Sequence, residues 1–77
     1  MDILEIIAEL EQNPANIKFS RLTRICDHFF GSARQRGTSH RVYKMLWKGD
    51  PRINIQKKGD KAKAYQVKQV IKVLKKL

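Results

Sequence analysis

The sequence predicts an α+β fold in which helices cover one face of an antiparallel sheet, a two-layer sandwich. Three observations carry that expectation. Helical periodicity marks both ends of the chain, the middle is rich in β-branched and aromatic residues, and the links there are short Gly- and Pro-containing turns that suit only antiparallel neighbours. At 77 residues the chain makes one small domain. Domains of this size bury only about 60% of the surface their unfolded chain exposes. A deep enzyme cleft or a Rossmann-type cofactor site is not expected, and any site should be shallow.

The elements follow in order. In M-D-I-L-E-I-I-A-E-L-E-Q, Ile3, Leu4, Ile6, Ile7 and Leu10 recur at helical spacing. Asn13-Pro14 ends that helix, because proline disfavours helix at the preceding residue and cannot itself continue one. Ser20 is placed to cap a second helix with Leu22, Ile25, Cys26 and Phe29 on its apolar stripe, stopping near Phe30-Gly31. Residues 32–36 read as extended and Gly37 as a turn. Residues 39–47, S-H-R-V-Y-K-M-L-W, read as a strand. Gly49-Asp50-Pro51 turns the chain into residues 52–56, whose alternation puts Ile53 and Ile55 on one side. Lys57-Lys58-Gly59-Asp60 is a further turn. The last helix carries Val67, Val70, Ile71, Leu74 and Leu77 on one stripe. The order is helix, then helix, three strands, helix.

Charge divides the chain. It holds 17 Lys and Arg against 7 Asp and Glu, a net +10. Asp2, Glu5, Glu9 and Glu11 all fall in residues 1–16, which contain no base. Residues 17–77 then hold 17 bases against three acids, a formal +14. The domain reading is an acidic helical appendage at 1–16, which either faces a partner or docks on its own domain by complementary charge, and a basic domain at 17–77. Such a field favours a polyanion, and nucleic acid is the default one. A membrane surface would need bulky apolar residues to enter lipid, and here those residues are needed for the core. No stretch has the length of a membrane span or the pattern of a signal peptide. With the single cysteine, Cys26, this makes the expected compartment a reducing cytoplasm.

Alternation within the second strand singles out candidate residues. Arg41, Tyr43, Met45 and Trp47 share one side, which the apolar bulk assigns to the helices, with Arg41 at the rim. His40, Val42 and Lys44 share the open side, together with Arg52, Asn54 and Gln56. A histidine among cations at a phosphate suits RNA cleavage, in which a base takes the 2′-hydroxyl proton, an acid protonates the leaving 5′-oxygen, and cations stabilise the charged phosphorane. A histidine amid arginines equally suits a plain phosphate or base contact. Lys57, Lys58, Lys61 and Lys63 stand at the approach to the last helix N-terminus, where phosphate is favoured, and are the better candidates for RNA backbone contacts. Cys26 reads as a small buried hydrophobe, and His28 as a helix-end or solvent-exposed residue. Tyr43 and Trp47 read as core rather than base-stacking groups, while Tyr65 stands off its helix stripe. Cys26 and His28 point to different sides of a helix and assemble no zinc ligand set, so neither metal nor cofactor is expected.

The stretch R-Q-R-G-T-S-H-R-V-Y-K, then a turn, I-N-I, a basic turn and a helix with K-Q-V-I-K-V-L, resembles the HicA family of bacterial toxins. The resemblance covers roughly residues 18–77. It implies a fold like the double-stranded-RNA-binding domain (α-β-β-β-α), here with an extra N-terminal helix that the shortest members lack. It implies an mRNA interferase of a type II toxin–antitoxin system, cytoplasmic and neutralised by a HicB-type antitoxin. Gly37 matches the motif glycine and His40 the catalytic histidine, although Thr38-Ser39 separates them and the paired histidine of many relatives is absent. Arg34 and Arg36 resemble the basic residues before that glycine. Arg41 and Lys44 flank the motif as further RNA contacts, and Lys44 or Arg36 is the expected electrostatic partner of His40. The leading expectation is therefore a metal-independent endoribonuclease. The alternative is a non-catalytic RNA-binding module of the same fold, with a ribosome-associated basic protein behind it.

Overall fold

The computed structural model of the protein describes residues 1–37, 39–45 and 52–77, with residues 35 and 36 as backbone only. Helix α1 (Ile3–Gln12) is followed by a 3-10 turn (Pro14–Asn16) and α2 (Phe19–Phe30). Strands β1 (Gln35–Arg36), β2 (His40–Lys44), β3 (Arg52–Lys58) and β4 (Lys61–Ala62) come next, then α3 (Ala64–Leu74). The strands form an antiparallel sheet in the order β1-β2-β3-β4. Helices α2 and α3 lie against it and α1 packs on α3, which is the α+β sandwich the sequence predicts. No helix among the described residues is long and apolar enough to cross a membrane.

The helix ends show how local signals and tertiary bonds share the work. Asp2 caps α1 by accepting a hydrogen bond from the Leu4 N–H at 2.9 Å, satisfying one of the free donors of the first turn. Ser20 does not cap α2. That helix starts two residues earlier, at Phe19, after Lys18, and has no side-chain cap. Phe19 is buried, and its N–H donates to the Asp60 carbonyl at 2.9 Å. A backbone group from the β3–β4 turn thus does what the serine was expected to do. Gly31 closes α2 with φ of 82°, a conformation open to glycine at no steric cost.

The sheet extends further toward its C-terminal end than the sequence predicts. Lys57 and Lys58 continue β3 instead of turning, and only Gly59-Asp60 bridges to β4, with Gly59 at φ 65°. A two-residue hairpin of this kind needs positive φ, which glycine supplies. At the other end of the sheet, residues 32–36 yield only the short β1, preceded by an Arg34 N–H bond to the Val42 carbonyl. The expected turn at Gly49-Asp50-Pro51 and the strand positions Leu46 and Trp47 lie outside the described residues.

The core lies between the sheet and the helices. Leu22, Ile25 and Cys26 of α2 join Tyr43, Ile53 and Ile55 from the sheet, Met45 just past β2, and Val67, Val70 and Leu74 from α3. Leu77, expected on the α3 stripe, lies past the helix end and is exposed. The acidic α1, set apart by composition, contributes Ile6, Ile7 and Leu10 to the same core. Complementary charge accompanies this docking: Arg21 donates to both Glu9 carboxylate oxygens, at 2.9 and 2.8 Å, and Lys75 binds Glu11 at 2.8 Å.

One buried amide ties α3 to the sheet. Where β4 diverges from β3, the Gln56 N–H would lose its partner, and the Gln66 side chain, 3% exposed, accepts it. The Gln56 carbonyl accepts the Lys63 N–H at 3.2 Å. A Gln66→Leu substitution should cost about 1–3 kcal/mol, the penalty of an unsatisfied buried donor. Urea unfolding reads this, and an unchanged midpoint would show that the bond contributes nothing net. The Arg21 guanidinium holds the Glu9 carboxyl below its ordinary range. A depressed folded-state value adds stability above the unfolded carboxyl range, and that stability is lost as pH falls through the folded value. The pair is partly exposed, so Glu9→Gln should cost only about 0.5–1 kcal/mol at neutral pH. The difference from the native chain should vanish in acid; a difference that persists there would assign the effect to packing instead.

Candidate nucleic-acid interface

The register of β2 on β3 builds the candidate site. His40 pairs with Gln56, Val42 with Asn54, and Lys44 with Arg52. Residues opposite one another share a face of the sheet, and successive residues alternate between faces. Tyr43, Ile53 and Ile55 are buried under the helices. His40, Lys44, Arg52 and Asn54 are exposed. The parity expected from the sequence is the parity observed, and His40 stands at the head of β2 on the uncovered side.

Gly37 acts on His40 through space. Its φ lies outside the left-handed region, so no turn geometry demands glycine. A Cβ placed there would lie 3.1 Å from the His40 Cε1 and Nδ1 and 3.1 Å from its carbonyl oxygen. The missing side chain leaves room for the imidazole to lie against the β1–β2 loop. Across the hairpin, the Ser39 carbonyl accepts the Lys57 N–H at 2.7 Å, anchoring the backbone just before His40.

Cations lie to both sides of His40 along this face. Arg34, Lys44 and Arg52 line a depression of about 290 Å³ with Val42. In the other direction, Lys58, Lys61 and Lys63 line a second depression. Lys63 donates to the Gln56 side chain at 2.9 Å, which places its ammonium beside the residue that faces His40. Lys44, expected as the partner of His40, is four residues along the strand, about 13 Å away by strand rise. Lys63, expected as an RNA backbone contact, is brought to the Gln56 side of this pairing by a tertiary hydrogen bond from the neck of α3. The Arg36 backbone belongs to β1, and its side chain lies outside the described residues.

The remaining candidates separate cleanly. Arg41 falls on the helix side, where its Nη1 meets the Asp27 carboxylate at 3.3 Å and its Nε is buried with no partner. Alternation carries it away from the His40 face, so it does not join the cations there. Lys57 shares Arg41's parity and sits exposed at the strand end. Tyr43 is fully buried and donates to Asp27 at 2.6 Å; burial and that bond push its phenol pKa up. Cys26 is fully buried, and burial pushes its thiol up as well, so it stays the protonated hydrophobe expected. His28 is exposed in the last turn of α2, edge-on to Phe29. Tyr65 is 56% exposed, and its hydroxyl accepts from the Gln66 amide at 3.2 Å, next to Gln56. Among the described residues no group of three or more His, Cys, Asp or Glu side chains could hold a metal ion.

Chemically, the face offers one imidazole for proton transfer and positive charge on either side for phosphates. Gly37→Ala should displace the His40 ring, shifting its Hε1 and Hδ2 resonances. Unmoved resonances would dismiss the packing role given to Gly37. Compared with protein-family models, with curated proteins and with solved structures, the chain has no match in any of the three.

Proposed function

We propose that this protein is the toxin of a type II toxin–antitoxin system, a metal-independent endoribonuclease that cleaves mRNA. His40 is its general acid/base, and a HicB-type antitoxin inhibits it by covering the open face. One observation carries the reading: His40 stands at the head of β2 on the uncovered, cationic face, with Gly37 making room for its ring. The motif resemblance to the HicA family supports it, and so does the fold order that this resemblance implies.

In cleavage, the 2′-hydroxyl gives its proton to a base and its oxygen attacks phosphorus. The bond to the 5′-oxygen then breaks, and that oxygen takes a proton from an acid. Correctly placed acid–base help is worth roughly 10²–10⁴-fold. His40 performs one of these transfers, and Lys63 supplies positive charge to the phosphorane. The same cations also suit a module that binds RNA without cleaving it, so catalysis itself has to be measured.

The test is cleavage of a mixed-sequence RNA in chelator, comparing the native chain with His40→Ala. A fall of about 10²-fold or more, in a variant that folds and still binds RNA, is expected. No cleavage by either protein, with salt-sensitive binding by both, would leave a non-catalytic RNA-binding module.

A further inference from the structure

We propose that the depression lined by Arg34, Lys44 and Arg52 is a second phosphate subsite. It holds a single-stranded RNA by a phosphate remote from the one presented to His40. The inference rests on the RNA reading above and adds to it where the strand runs. Three cations reach this depression from different segments, the approach to β1, the end of β2 and the start of β3, with the Val42 side chain among them. Two are arginines, whose planar forks match phosphate oxygens. Lys44 and His40 share a face of β2 four residues apart, about 13 Å by strand rise. His40 is not among the described residues that line the depression, so a ligand that fills the depression and also reaches His40 carries more than one phosphate. Val42 and Asn54 form the cross-strand pair between them. A splayed single strand laid along β2 and β3 could place a base over that pair, whereas an A-form duplex keeps its bases stacked inside.

The experiment uses the full chain carrying His40→Ala, so that the ligand survives, and reads fluorescence anisotropy. The probes are a labelled mixed-sequence single-stranded oligonucleotide, a dinucleotide with one phosphodiester, and an RNA duplex. Adding Arg52→Gln should weaken oligonucleotide binding about tenfold and make its logarithmic salt dependence shallower by about 0.7 per lost phosphate contact. The preference for oligonucleotide over dinucleotide should shrink by the same factor. Equal losses on both ligands, an unchanged salt slope, or tighter binding of duplex than of single strand would each overturn the subsite. Lys44→Gln repeats the measurement if the arginine variant does not fold. If this signature appears while the native chain cleaves nothing, the subsite stands and the ribonuclease reading falls. If the His40→Ala chain binds no RNA in a salt-dependent way, the subsite falls whatever the native chain cleaves.

Discussion

Tyr43 opposite Ile53, and Val42 opposite Asn54, define a register that a slip of one residue would invert. Such a slip would put Tyr43 into water and His40 under the helices, with the apolar side of β3 pairing against polar neighbours. Burial of Tyr43, Ile53 and Ile55 resists it, and the buried phenol adds a directional constraint by donating to Asp27 of α2. The same register lays His40, Lys44 and Arg52 along one open face. Core packing and site assembly are therefore two consequences of one pairing.

A small domain has few residues to spare for that pairing, and its polar groups are satisfied by unexpected partners. The free N–H at the start of α2 is taken by the β3–β4 turn, and the N–H that β4 leaves behind at Gln56 is taken by Gln66. These bonds join the two ends of β3 and β4 to the helices. The acidic α1 adds to this on the far side of α3. Its apolar stripe enters the core, while Glu9 and Glu11 meet Arg21 and Lys75 at its flank. In a chain whose remainder carries a formal +14, these acids neutralise two cations on the helix side.

His40 was legible because its neighbours in sequence are also its structural context: a glycine, a short loop, and a strand whose bulk lies on alternate residues. The function of Gly37 was only half legible. Its position suggested a turn, but the contact it permits is with a ring three residues on, and spacing alone does not reveal which way that ring lies. Arg41 illustrates the opposite case. Beside His40 in sequence, it lies across the sheet from it in space, bound to Asp27. The bonds of Lys63 and Gln66 to Gln56 were beyond reach because they form only when α3 folds against β3.

By itself the sequence determined the class of fold, the sides of β2 and β3, the end of α2 at Gly31, and the segregation of charge. Each of these follows from local period, backbone preference or composition, which act over a few residues. Tertiary structure alone decided where α2 begins, that β3 runs on through Lys58, that α1 belongs to the common core, and that Lys63 bonds to the residue paired with His40. Those outcomes depend on hydrogen bonds and burial between residues distant in the chain, whose free energies are set by geometry that no local pattern encodes.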